Sequence, residues 1–137
     1  MRVFLDAHVL FSAAKSDGAV RRLVRVLLES GHECWADDYV VAEARRNLEV
    51  KGADATTAFE ALLDRLQIAA AKAAGPATIE TAWLPSKDQP VLAAAIRLRC
   101  AALVTGDSMH FGAGYGKVYA GVTVHSPRSL AESLRAG

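Results

Sequence analysis

The chain has 137 residues, 52% of them hydrophobic and 23% charged, with a formal net charge of +1. Those values exclude a disordered or fibrous chain, and the near-zero charge excludes a protein that grips nucleic acid through its overall field. No run of roughly 18 apolar residues occurs, and Asp6 breaks the one N-terminal stretch that looks like a leader. A cytoplasmic protein with no membrane contact is expected, folded as one domain over residues 1–137 around one core.

In chain order, Arg2 to Asp6 reads as a strand. A helix is predicted over Ala19 to Ser30, where Val20, Leu23, Val24, Leu27 and Leu28 share a face, and Gly31 ends it. Glu33 to Ala36 forms a short strand carrying Cys34, and Asp37-Asp38 cap a helix from about Tyr39 to Val50. A further helix is predicted from about Ala55 to Ala71. Ala77 to Thr81 is assigned as a short strand, followed by a loop at Leu84-Pro85-Ser86. The next helix runs from Asp88 to Cys100, with Pro90 tolerated in its first turn. A strand at Ala102 to Thr105, a mobile glycine-rich loop at Gly112 to Gly116, a strand at Val122 to His125 and a helix from Pro127 through Leu134 complete the chain. Cys34 and Cys100 read as small buried hydrophobes. This alternation predicts a three-layer α/β/α sandwich on a mostly parallel central sheet.

Two of these strands stop at an aspartate. Val3-Phe4-Leu5 leads into Asp6, and Leu103-Val104-Thr105-Gly106 into Asp107. Open parallel sheets bind ligands outside the carboxyl ends of their strands, so both carboxylates are placed at the functional edge. Asp88 opens a helix, and Glu43 lies at the border of the stripe formed by Val40, Val41, Ala44 and Leu48. Singly, each has an ordinary reading: Asp88 is an N-cap, Glu43 a solvated helix residue, Asp107 a turn residue. Asp6 resists one, because an uncompensated carboxylate among Phe4, Leu5, Val9 and Leu10 is costly. Together, Asp6, Glu43, Asp88 and Asp107 form an all-oxygen set suited to Mg²⁺ or Mn²⁺. Such ions promote in-line phosphoryl displacement without a nucleophilic side chain.

Over nearly its whole length the chain resembles the PIN-domain nucleases, and among them the bacterial VapC-like toxin branch. The resemblance rests on Val3-Phe4-Leu5-Asp6-Ala7-His8-Val9-Leu10, on Val41-Ala42-Glu43, on Asp88-Gln89-Pro90-Val91-Leu92-Ala93-Ala94-Ala95, and on Val104-Thr105-Gly106-Asp107. It implies a metal-dependent endoribonuclease that cleaves RNA phosphodiesters by metal-activated water, with Asp6, Glu43, Asp88 and Asp107 as metal ligands. It further implies that Thr105 and Ser108 orient carboxylates or water, and that His110 stands where family members carry an acid or histidine. A single-stranded or structured RNA substrate, a cognate antitoxin and a homodimer follow as implied partners. One departure is His8, which replaces the small polar residue common two positions after the first aspartate. Three outcomes stay open: a substitute donor, an added nitrogen ligand, or an impaired centre. The alternative reading is a catalytically impaired PIN-like module that binds RNA or protein.

Other signals carry less. Gly112-Ala113-Gly114-Tyr115-Gly116-Lys117 fails the phosphate-loop pattern at Phe111 and Val118. His32 and Cys34 form only a fragment of a zinc site. Arg21, Arg22 and Arg25 make a basic helix face, which reads first as solvated and second as a contact for RNA phosphates.

Overall fold

The computed structural model describes residues 1–136. Six strands form one sheet: β1 (Arg2–Leu5), β2 (Glu33–Asp37), β3 (Gln67–Ala69), β4 (Ala102–Val104), β5 (Val118–Tyr119) and β6 (Val122–His125). Their order is β3-β2-β1-β4-β6-β5, and every pairing is parallel except that of β5 with β6. Helices α1 (Ala7–Lys15), α2 (Ala19–Glu29), α3 (Asp38–Lys51) and α4 (Thr56–Leu63) fill the crossovers from β1 to β2 and from β2 to β3. Helix α1 packs on each of the other three. Helix α5 (Gln89–Arg97) fills the return from β3 to β4. Right-handed crossovers place outgoing and returning helices on opposite faces, giving the expected sandwich. A four-residue α6 (Ser108–Phe111) and the terminal α7 (Pro127–Ala136) complete the fold.

The central strands are hydrophobic on both faces, as a covered parallel sheet requires. Val3, Phe4, Leu103 and Val104 have no exposed surface, and Leu10, Leu27, Phe59, Leu92 and Phe111 close over them. The chain leaves β1 toward β2 and re-enters on the other side at β4, so the switch point lies between β1 and β4. A crevice belongs at that point, at the carboxyl edge. Both aspartates that follow these strands sit there.

Several expectations are corrected. The helix expected over Ala55 to Ala71 ends at Leu63, and Gln67–Ala69 pairs with Trp35–Asp37 as the edge strand β3. Ile68 lies half a turn out of phase with the buried Phe59, so a continued helix would aim it away from the core. The strand expected at Ala77 to Thr81 is a turn, in which the Thr81 and Ala82 amides donate to the Thr78 carbonyl. Gly112 to Gly116 is not a loose loop. Gly112–Gly114 is a 3₁₀ turn whose buried Gly114 lies against Trp83. A Cβ at Gly114 would stand 2.4 Å from Trp83 Cη2, so only glycine fits. Trp83 also stacks on Tyr119 at 5.0 Å and meets Phe111 edge-on at 6.1 Å. Helix α1, in a segment to which the sequence assigned no element, buries Val9, Leu10, Ala13 and Ala14. Cys34 and Cys100 are buried free thiols, and burial pushes both up to about 11.

Candidate metal centre

Asp6 ends β1 and caps α1. Its Oδ1 accepts from the Ala7 amide at 2.7 Å, and its Oδ2 accepts from the Thr105 hydroxyl at 2.7 Å. Those two bonds are the compensation that burial of this carboxylate demands. Burial still dominates and pushes Asp6 up to about 6, opposed by Thr105, Ala7 and the nearby His8. The negative charge of Glu43 adds a smaller upward push.

Thr105 couples the two strand-end acids. Its hydroxyl donates to Asp6 and accepts from the Asp107 amide at 3.1 Å, while the Tyr115 hydroxyl donates to its carbonyl at 2.8 Å. Asp107 caps α6, its Oδ1 accepting from the His110 amide at 3.2 Å. Its Oδ2 is left facing the ring of His110.

Asp88 precedes α5 without capping it: its backbone is already helical and its carboxylate takes no cap hydrogen bond. The carboxylate instead enters the acidic cluster, which overturns its reading as an ordinary N-cap. His110 Nδ1 lies 2.9 Å from Asp88 Oδ2 and 2.9 Å from Asp107 Oδ2. Neither contact has hydrogen-bond geometry, and both Asp88 Oδ2 and His110 Nδ1 are buried without a hydrogen-bond partner in the protein. Burial raises the Asp88 carboxyl above its ordinary value, His110 opposes the rise, and the charges of Asp107 and Glu43 add to it. Among the described residues, the one group of donors close enough to share a cation is Asp88, Asp107 and His110, whose ligand atoms lie within 4.8 Å of one another.

The remaining expected residues divide. Glu43 is half-buried on α3, and its charge is felt by Asp6, Asp88 and Tyr39. His8 is exposed beside Gly106, where a Cβ would lie 3.8 Å from that of His8. Ser108 is exposed, and its hydroxyl makes no hydrogen bond among the described residues. Arg21 is committed elsewhere: its guanidinium donates to the Ala13 and Ala14 carbonyls at 2.7 and 2.9 Å, closing the end of α1. Arg25 lies 3.7 Å from Asp17, and Arg22 is exposed. His32 Nδ1 stands 2.9 Å from the N-terminal amine.

Two aromatic residues were not anticipated. Tyr115 holds Thr105 from behind, and burial together with Asp107 and Asp6 raises its phenol. Tyr39 donates to the Lys87 carbonyl at 2.6 Å, and burial, Glu43 and Asp88 raise its phenol. A tyrosine one turn before Glu43 was the available signal for the second.

Residues 2–109 match the family model of the PIN domain. The chain belongs to the PIN domain family. This PIN domain is similar in fold to VapBC2 from Rickettsia felis, solved bound to a DNA fragment from their promoter. That match has a TM-score of 0.66 and 14% identity, covering 92% of this chain and 98% of the other. VapC20 of Mycobacterium tuberculosis, described as a sarcin–ricin loop cleaving toxin, matches with a TM-score of 0.57 and 13% identity over 85% and 98% of the two chains. FitAB bound to the IR36 DNA fragment matches with a TM-score of 0.62 and 19% identity over 91% and 94%. No functionally curated protein matches the sequence. No helix among the described residues is long and apolar enough to cross a membrane.

Proposed function

We propose that this PIN domain is a divalent-metal-dependent endoribonuclease acting as the toxin of a toxin–antitoxin pair in the cytoplasm. The observation that carries the reading is the pair of buried, unpartnered atoms, Asp88 Oδ2 and His110 Nδ1, beside Asp107 Oδ2. Buried polar atoms without partners are rare and costly, and a cation between them satisfies all three groups at once. Asp6 and Glu43 complete the negative wall around that position. A donor set with one imidazole nitrogen and several carboxylate oxygens suits Mn²⁺ at least as well as Mg²⁺.

A bound divalent cation supplies neutralisation of phosphate charge and acidification of a water. The chain's own part is orientation. Thr105 and the Ala7 amide fix both Asp6 oxygens, the His110 amide fixes Asp107 Oδ1, and Tyr115 fixes Thr105. The acids are thus held on strand ends and helix starts instead of on mobile loops. The exposed His8 stands beside Gly106, where a ring N–H can donate to a phosphate oxygen. A cognate antitoxin, suggested by the VapBC and FitAB complexes, and a homodimer complete the proposal.

The test is calorimetric titration of the chain with Mn²⁺ and Mg²⁺, together with cleavage of a 5′-labelled RNA. Saturable binding and cation-dependent cleavage, both lost in Asp107→Asn, are expected. Binding without cleavage would identify a module that recognises RNA or protein without cutting it. Cleavage that persists in Asp107→Asn and Asp6→Asn would overturn the mechanism.

A further inference from the structure

The carboxyl edge of the sheet holds a second feature, a cavity of about 390 Å³ lined by Asp37, Tyr39, Lys72, Thr81, Gln89 and Arg97 among others. That volume falls in the range of small-molecule sites. It adjoins the acidic cluster by construction. Phe4 pairs with Trp35 in parallel register, so Asp6 and Asp37, each two residues on, lie at the carboxyl ends of neighbouring strands. Tyr39 belongs to the wall and feels the charges of Glu43 and Asp88, and Gln89 follows Asp88 directly.

Asp37 is the unusual member of the lining. It is only 3% exposed, and burial raises its carboxyl above the ordinary range. One oxygen caps α3, accepting from the Val40 amide at 3.2 Å. The other has Arg97 Nη2 at 3.9 Å, beyond hydrogen-bond reach. Arg97 itself reaches toward the Ala70 carbonyl. The Tyr39 amide and the Arg97 cation also favour the charged form of Asp37, and this desolvated carboxylate lines a cavity one strand from the acids. Gln89 donates to the Leu84 carbonyl at 2.9 Å, which leaves its own amide oxygen as a second acceptor.

We propose that this cavity receives the base of a nucleotide flanking the scissile phosphate, and that Asp37 selects guanine. Guanine alone carries two adjacent donors, N1–H and N2–H, on its Watson–Crick edge, and an ionised carboxylate only accepts. Adenine, cytosine and uracil each set an acceptor beside their donor, which a carboxylate repels. Pro90, Ala93 and Ala94 supply apolar surface for the ring. The assignment of a flanking nucleotide rests on the endoribonuclease reading, whereas the guanine preference does not.

The experiment uses the full chain in two arms. In the first, GMP, AMP, CMP and UMP are titrated in chelator-treated buffer; in the second, a randomised RNA is cleaved with Mn²⁺ and the product ends are sequenced. GMP is expected to bind at least tenfold more tightly than the others, and guanine to dominate one position next to the cut. Asp37→Asn keeps an equally good N-cap, verified by circular dichroism, and is expected to lose both preferences at least tenfold. Binding of GMP that is absent, or unchanged in Asp37→Asn, overturns the proposal. Guanine-selective binding with no RNA cleavage in Mn²⁺ supports the guanine pocket and overturns the endoribonuclease reading instead.

Discussion

Asp6 carries the largest electrostatic tension among the site residues. Its carboxyl is pushed from an ordinary 3.8 to about 6, so between those values the folded chain binds a proton that the unfolded chain has released. Stability of the metal-free protein through this group therefore falls as pH rises across that window and levels off above it. Asp6→Asn removes the buried charge, keeps its oxygen for the Ala7 amide and turns an NH2 donor toward the Thr105 hydroxyl. It is expected to stabilise the metal-free chain by about 1–3 kcal/mol at pH 7.5, read from urea denaturation with chelator at pH 5 and pH 7.5. A variant no more stable than the parent at the higher pH would show that the charge is compensated. Thr105 is the complementary case. Thr105→Val strands an Asp6 oxygen and the Asp107 amide together, and is expected to cost about 1–3 kcal/mol and to lower cleavage. Thr105→Ser, which keeps the hydroxyl, should restore both.

The strands and their terminal acids were legible because a parallel sheet writes itself as short apolar runs, and because an aspartate after such a run has few structural uses. Asp6 and Asp107 were readable on that ground, and His110 only through resemblance. What could not be read depends on contacts distant in sequence. Gln67–Ala69 has no strand signal strong enough to end a helix locally; it becomes one because Trp35–Asp37 offers an open edge. The phase of Ile68 against Phe59 held the clue. Helix α1 was concealed because Val9 and Leu10 continue the apolar run of β1, so the change of period was masked. Gly114 looked like a turn glycine, whereas its reason lies in Trp83, far back along the chain. Gly114→Ala tests that packing. The added methyl collides with the indole and is expected to cost about 1–3 kcal/mol, measured as a shift in urea midpoint, with metal affinity unchanged.

At the scale of the whole molecule, the proposed metal site links cation binding to folding, since its acids follow β1, lie on α3, precede α5 and precede α6. A cation that binds only the assembled edge adds about 2.7 kcal/mol at a concentration 100-fold above its dissociation constant. The melting temperature should therefore climb with Mn²⁺ in the parent chain and stay flat in Asp107→Asn. The net charge of +1 leaves no large positive field, so association with RNA is expected to depend only modestly on salt. A steep loss of cleavage between 50 and 200 mM salt, a range over which extensive phosphate contact shows itself, would reveal a basic surface built by dimerisation.

The hydrogen bond from Thr105 to Asp6 spans 99 positions of the chain. Synthesis proceeds from the N-terminus, so Asp6 leaves the ribosome long before its partner exists. Asp107 and His110 follow later still. A nascent chain that has exposed β1 through α5 already displays most of the sandwich yet has only part of the acidic wall. On the endoribonuclease reading proposed above, the cutting site stays incomplete on the ribosome until the last quarter of the chain has emerged.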